Sequence, residues 1–264
     1  MNDHAPSTGL KILAAAMFVF LLAPVLVVVP LSFSGDAFLS FPPSSWSTRW
    51  YGRILAEPKI VAAFWTSLTL AATTMVLCLA IGLPAAYAIV RLRIPGAAFL
   101  TSLFTAPLLL PSIVLALAIL IVFARLGFIG SFRGVLAGHL VVTLPYAVRV
   151  LATSIAGLPI ACEEAATTLG ASPLAVFRRI TLPLMLPGIA ATAALCFLVS
   201  FDEVVLSLFL TGPRLSTLPV EMFHYVETRT DPLIAALSVI LVVITLAIVL
   251  LVDRTAGLAR TFAR

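Results

Sequence analysis

A chain of 264 residues with 62% hydrophobic side chains, only 10% charged ones and a mean hydropathy of +1.18 lies far from the composition of soluble domains. Its length is spent on membrane spans rather than on one or two globular cores. The formal charge of +5 is small and its arginines fall mainly between apolar runs, so nucleic-acid binding, which needs a basic stripe with interleaved aromatics, is excluded. Cys78, Cys162 and Cys196 form an odd set without a C-x-x-C pair, which argues against a disulfide framework or a metal site.

Residues 1–9 are a short polar tail, and residues 12–31 are apolar for long enough to span a bilayer. Despite Lys11 the run is too long for a signal-peptide core and no A-x-A-like site follows, so a retained first span is expected. Residues 32–59, with Pro42-Pro43, Trp46, Trp50 and Tyr51, read as an external loop with a short interfacial helix, the aromatics acting as interface anchors. The second span is expected over 62–90. Gly82 and Ala86 have the small-xxx-small spacing that lets helices approach in lipid, and Pro84 should kink the helix or mark its end. Arg91 and Arg93 make a short basic connection of the cytoplasmic kind.

The third span, 97–123, carries Pro107 and Pro111 near its middle, and both break its hydrogen-bond ladder. Such breaks are tolerated where neighbours or a cavity satisfy the backbone again; a bent packing helix and a path-lining helix are equally good readings. An external turn from Arg125 to Arg133 leads to the fourth span, 134–156. Arg149 lies near its inner end, within snorkelling reach of the headgroups. His139 falls toward its outer boundary and has no second His or Cys at metal spacing.

A polar interruption follows, Leu158 to Pro183, reading LPIACEEAATTLGASPLAVFRRITLP. Pro159 suits a first helical turn. Leu158, Ala161, Cys162, Ala165, Ala166 and Leu169 share one face at 3.6 spacing, with Glu163, Glu164, Thr167 and Thr168 on the other. Gly170 supplies a left-handed stop, and Ser172-Pro173 opens a second helix that Pro183 should end. The expectation is helix, turn, helix, with a small-residue face that lets another surface come close.

The fifth span, 185–210, contains Ser200-Phe201-Asp202-Glu203. Starting near Pro187, a helix puts Asp202 roughly 22 Å along a core of about 30 Å. A charge at mid-depth costs about 2.5–3.5 kcal/mol, so these acids should face a watery path or a cationic partner. Residues 211–231 read as external, turning at Gly212-Pro213. Glu221-x-x-His224 has metal half-site spacing but no second half, and reads as a solvated helical face. The sixth span, 233–252, leads to a basic tail from Asp253 to Arg264, so both termini fall on one side. Nine Lys/Arg inside against seven outside agrees in sign with the positive-inside rule without settling orientation. The two lysines, Lys11 and Lys59, end no P-loop, and no H-E-x-x-H or G-x-S-x-G run occurs, so any nucleotide must be held by another polypeptide.

Glu164-Ala165-Ala166, then Gly170 after three residues, Ile180 after nine more, and Leu182-Pro183 resemble the EAA signature of permease subunits of binding-protein-dependent ABC importers. The stretch from Ser67-Leu68 through Gly82 and Ala85-Ala86-Tyr87-Ala88 to Arg91 is similar to the same family. The resemblance implies an all-α integral membrane protein of the type I importer permease fold. It would have six transmembrane helices, a cytoplasmic EAA coupling loop over 158–183 between helices 4 and 5, and both termini cytoplasmic in a bacterial inner membrane. It implies two ATP-binding subunits that hold ATP and Mg, with no cofactor in this chain, a second and paralogous permease subunit, and a periplasmic substrate-binding protein. In that family the first loop helix docks in a groove of the ATPase. Glu163 and Glu164 would engage that groove, Ala165 and Ala166 would permit close approach beside Leu169, and Gly170 would set the angle between helices.

The run Ser200 to Val205, followed by Thr211-Gly212-Pro213 and Ser216-Thr217-Leu218-Pro219, resembles the second permease subunit of spermidine/putrescine importers. On that resemblance an ammonium group would be steadied by the carboxylates of Asp202 and Glu203 and the face of Phe201. The competing reading pairs the acids with an arginine of the partner permease. Related permeases carry opines, aminoalkylphosphonates or ferric iron, and a self-sufficient channel or ion-coupled carrier is the alternative from another class.

Overall fold

The structure is a computed structural model that describes residues 8–92 and 94–256. Expectations for the tail before Thr8, for Arg93 and for the tail beyond Ala256 lie outside the described residues. Among them there is no named strand, only isolated bridges between Ser34 and Trp46 and between Gly212 and Leu215. Five helical segments are long and apolar enough to cross a membrane: Thr8–Ser32, Pro58–Arg91, Phe132–Ala156, Pro173–Phe201 and Leu233–Val252. A further pair, Ala97–Leu109 and Ser112–Leu126, passes together but is bent by 104°.

By packing, the chain forms two units, one of the segment up to Val61 with Met222–Ile244, the other of Ala62–Glu221 with the segment from Thr245. In the first, helix α1 (Thr8–Ser32) leads into a loop and a short helix α2 (Arg49–Leu55). The loop is knotted around Asp36, whose carboxylate accepts hydrogen bonds from the hydroxyls of Ser44 and Ser40 and, at 2.9 Å, from the Ser44 N–H. The Ser44 hydroxyl first, then its amide, hold this acid well below the usual carboxylate range. Trp50 is not the interface anchor expected of it: it is only 2% exposed, with the Arg49 guanidinium 4.7 Å above its ring. Trp46, 68% exposed, remains outward. Leu39 donates to the Thr230 carbonyl at 2.7 Å and Arg229 meets Glu57 at 3.1 Å, tying the loop region to residues after α11 (Leu218–Thr228).

The second unit is arranged around α6 (Phe132–Ala156). Helix α3 (Pro58–Arg91) lies on it at Gly82, where an added Cβ would sit 3.2 Å from that of Ala147. One turn on, Ala86 is buried with Leu151, Ile155 and Met185. In lipid, apolar side chains gain little by leaving solvent, so close backbone approach and dispersion do the work that burial does in water; the small-residue spacing of α3 serves that end. Pro84 lies inside α3 without ending it.

Helix α4 (Ala97–Thr105) and the 3₁₀ turn Ala106–Leu109 run up to Pro111, where the chain turns sharply into α5 (Ser112–Leu126). Leu110 is extended there (φ −92°, ψ 139°) and Pro111 has no N–H to continue a ladder. The end of α3 and the end of α6 meet, since Arg91 Nη2 donates to the Leu158 carbonyl at 3.0 Å. The start of α6 lies at the far end, where Gly130 donates to the Leu210 carbonyl at 2.9 Å. The bent pair therefore carries the chain from one end of α6 to the other.

Two sequence expectations fail between Ser172 and Leu210. Pro183 does not end the second loop helix. Helix α8 (Pro173–Val176) passes through a π-helical turn, Phe177–Thr181, into α9 (Leu182–Phe201), and Pro183 falls in the first turn of α9, where a missing N–H is harmless. Nor is residues 185–210 one helix. α9 stops at Phe201, and a separate short helix, α10 (Val205–Leu210), follows a break at Asp202–Val204. The chain closes with α11 and α12 (Leu233–Ala256).

Candidate functional site

Helix α7 (Ile160–Thr168) forms the first half of the loop, capped at its start by Pro159 and at its end by a Schellman arrangement. Gly170 donates to the Thr167 carbonyl at 2.9 Å and Ala171 to that of Ala166 at 3.0 Å, with Gly170 at φ +85°, where a side chain is strained. Ser172 caps α8 by accepting from the Ala175 N–H. These local rules fix the turn.

What the sequence pattern misses is which way α7 faces. Glu163, assigned to the outer polar face, points inward: its Oε1 accepts from Arg91 Nε at 3.2 Å and from the Thr181 hydroxyl at 3.1 Å. The side chains of this pair are 10% and 13% exposed. One carboxylate thus joins the last residue of α3, the first turn of α7 and the π turn. Tyr87 adds a second tie, its ring 5.1 Å from that of Phe177.

The opposite side of α7 is free. Ala161, Cys162, Glu164, Ala165 and Gly170 are exposed, Leu169 is 89% exposed, and Ala166 is half-buried. The Glu164 carboxylate has no hydrogen-bond or ionic partner among the described residues. Thr167 and Thr168 return their hydroxyls to the carbonyls of Glu163 and Glu164 at 2.8 and 2.9 Å, so neither is offered outward. A groove of about 460 Å³ runs between α7 and the end of α3, lined by Tyr87, Arg91, Ile160, Glu164 and Thr167 among others.

The second candidate region is the break after α9. The twenty residues of α9 rise about 30 Å, the thickness of a hydrocarbon core, so the break lies at the end remote from α7. Here the three residues expected to act together diverge. Phe201 is 6% exposed, stacked on Phe197 at 5.5 Å and edge-on to Phe64 at 6.3 Å, so its face is already taken. Glu203 turns to α10, its Oε1 accepting from the Leu206 N–H at 2.9 Å as a helix cap. Asp202 is exposed and its carboxylate has no partner among the described residues.

Glu203 also lines a cavity of about 170 Å³ with Pro107, Leu110, Ser112 and Tyr146. The proline bend of the third apolar segment and the acid-bearing break of the fifth therefore face one space. No group of three or more His, Cys, Asp or Glu side chains suited to a metal occurs among the described residues, and Glu221 and His224 stay on α11 without a second half. His139 is buried, 1% exposed, with Nδ1 2.9 Å from the Ser200 hydroxyl and Nε2 3.0 Å from that of Ser207. Arg91, Thr181 and His139 were legible in sequence only as a topology charge and two isolated polar residues.

Comparison with known proteins agrees with this architecture. The spermidine/putrescine transport system permease protein PotC of Escherichia coli (strain K12) is 32% identical over 235 residues, covering 89% of this chain and 89% of the relative. The putrescine transport system permease protein PotI of the same organism is 36% identical over 231 residues, covering 85% and 82%. The fold is shared, at 15% identity and a TM-score of 0.71 over 93% of this chain and 92% of the other, with a bacterial alginate ABC transporter crystallised with its alginate pentasaccharide-bound periplasmic protein. Residues 78–259 match the family described as binding-protein-dependent transport system inner membrane component, and the chain is a multi-pass membrane protein that belongs to that family.

Proposed function

We propose that this chain is the membrane-spanning permease subunit of an ATP-driven importer that moves polyamines, spermidine or putrescine, across the inner membrane. As a permease component it carries no ATPase of its own; hydrolysis belongs to separate subunits, and a periplasmic binding protein delivers the solute. The finer assignments are two ATP-binding subunits holding ATP and Mg, a second and paralogous permease, six crossings with the bent pair as the third, and both termini cytoplasmic.

The observation that carries the reading is the two-sidedness of α7. Its inward carboxylate is clamped by Arg91 and Thr181, while its outward face is small, solvated and unpaired at Glu164. A helix docked by a partner needs both properties: a smooth exposed side for contact and a stiff attachment that passes displacement to the spans. On this reading Glu164, Ala165 and Leu169 meet the ATPase groove with Ala166 at the contact edge, and Glu163 transmits rather than docks. Gly170 sets the angle between α7 and α8. ATP binding would close the ATPases and swing both loops, tilting the spans between inward- and outward-facing states.

The polyamine assignment leans on the solutes in the names of PotC and PotI. It also leans on Asp202, an unpaired acid at a break where a protonated amine would find a carboxylate, with Glu203 beside it. Phe201 serves the wall rather than the ligand. The test is reconstitution with the ATPase, second permease and binding protein. Vesicles should concentrate labelled putrescine or spermidine only when ATP is present. Concentration by this chain alone, or selective uptake of an anionic solute, overturns the proposal.

A further inference from the structure

The break at Asp202–Val204 owes nothing to a helix-breaking residue, although Glu203 caps the helix that follows it. Between Gly188 and Gly212 the sequence contains neither glycine nor proline, and residues 204–210 read VVLSLFL, an apolar run that extends a helix as readily as it starts one. Something outside the segment must hold α9 and α10 apart. Three contacts hold α10 in place independently of α9. Gly138 lets the leucines of α10 onto the α6 backbone, where an added Cβ would come within 2.9 Å of Leu206 Cδ2. Gly130 ties the Leu210 carbonyl, and Glu203 caps the first turn. Among the described residues, one side chain hydrogen-bonds to both helices. His139, next to Gly138, bonds Ser200 near the end of α9 with one ring nitrogen and Ser207 in α10 with the other.

Geometry makes that bridge specific to a broken chain. In a continuous helix, residues seven apart are separated by about 10.5 Å along the axis. A single five-membered ring holding both hydroxyls at 2.9 and 3.0 Å is too short to cover that span. The two hydrogen bonds can coexist only when the chain is interrupted between Ser200 and Ser207. A neutral imidazole offers one donor and one acceptor, and each serine hydroxyl can take the complementary part, so the buried ring is fully satisfied in this state and loses a partner in any other.

We propose that His139 is a positioning residue that keeps α9 and α10 interrupted and so presents Asp202 to the solute path; this rests on the reading of that break as part of the path. The His139→Leu substitution in the assembled importer should lower the maximal uptake rate, at saturating binding protein, about tenfold, the scale of one or two lost hydrogen bonds. ATP hydrolysis stimulated by loaded binding protein should stay within about twofold, because α7 and its clamp are untouched. His139→Gln, able to satisfy one serine at a time, should fall between. Ser200→Ala combined with His139→Leu should be no worse than His139→Leu alone.

A second measurement does not depend on the solute. In chains whose native cysteines are replaced and whose residue 204 is changed by Val204→Cys, labelling by a water-soluble maleimide should differ by threefold or more between His139 and His139→Leu backgrounds. Should His139→Leu fail to reach the membrane, the Ser200→Ala/Ser207→Ala pair carries the same test. Unchanged labelling, strictly additive losses, or equal loss of uptake and hydrolysis overturns the proposal. Absence of polyamine uptake in the unmutated importer sinks the solute reading alone, and the labelling comparison then decides the role of His139.

Discussion

The two ends of α6 are fastened by different chemistry. At one end a charged pair, Arg91 and Glu163, joins α3 to α7 with about a tenth of each side chain still exposed. At the other a buried imidazole joins α9 to α10 through two serine hydroxyls. The contrast follows the surroundings. Near headgroup and water, ions can remain charged and a salt bridge can slide or re-form during a swing of the loop. Deep among α6, α9 and α10 an uncompensated charge is too costly, and neutral hydrogen bonds fix a shape instead. One end is built to move as a unit with a partner; the other is built to hold a gap.

The comparison breaks first at the charged end. Arg91→Ala leaves Glu163 largely enclosed without its cation, a loss of about 2 kcal/mol, less than the roughly 3–5 kcal/mol of a fully buried pair. Uptake should fall more than tenfold while hydrolysis by the ATPase continues, measured as solute moved per ATP in reconstituted vesicles. The swap Arg91→Glu with Glu163→Arg should restore part of that coupling. If the single and swapped proteins behave alike, the pair transmits nothing.

Gly170→Val comes next. A β-branched residue at φ +85° costs about 1–2 kcal/mol and shifts the angle between α7 and α8. Hydrolysis should be uncoupled from uptake with normal protein in the membrane, and wild-type uptake would count against the assignment. At the far end, Asp202→Asn removes the free carboxylate without disturbing a bond. Polyamine uptake should drop about tenfold with the ATPase response nearly intact, as scored by paired uptake and phosphate-release assays.

The smallest effect belongs to the Asp36 knot. Because hydrogen bonds depress its pKa in the folded chain, the knot's contribution is complete above the ordinary carboxylate range and is lost only as pH falls through the depressed value. Amide exchange at Ser44 should therefore remain slow at about pH 4, and Asp36→Asn should quicken it at that pH and above.

Local features of this chain were readable in advance because the causes are local. Gly170 and Ser172-Pro173 fixed the turn, Pro107 and Pro111 interrupted the third apolar run, and Gly82 with Ala86 marked a packing face. Direction and interruption imposed from afar were not readable. Glu163 turns inward because of an arginine 72 positions earlier, and α9 stops at Phe201 without any breaker residue. Pro183 misled because a π turn placed it at a helix start rather than a helix end. Phe201 looked like a ligand platform until Phe197 and Phe64 filled both of its approaches.

The 104° bend at Pro111 bears on what holds the third apolar segment in place. Its arms, Ala97–Leu109 and Ser112–Leu126, rise only about 20 and 22 Å, each too short to be held in a bilayer as an independent stop. Both arms pack against α6, so this stretch depends on that helix for its place in the bilayer.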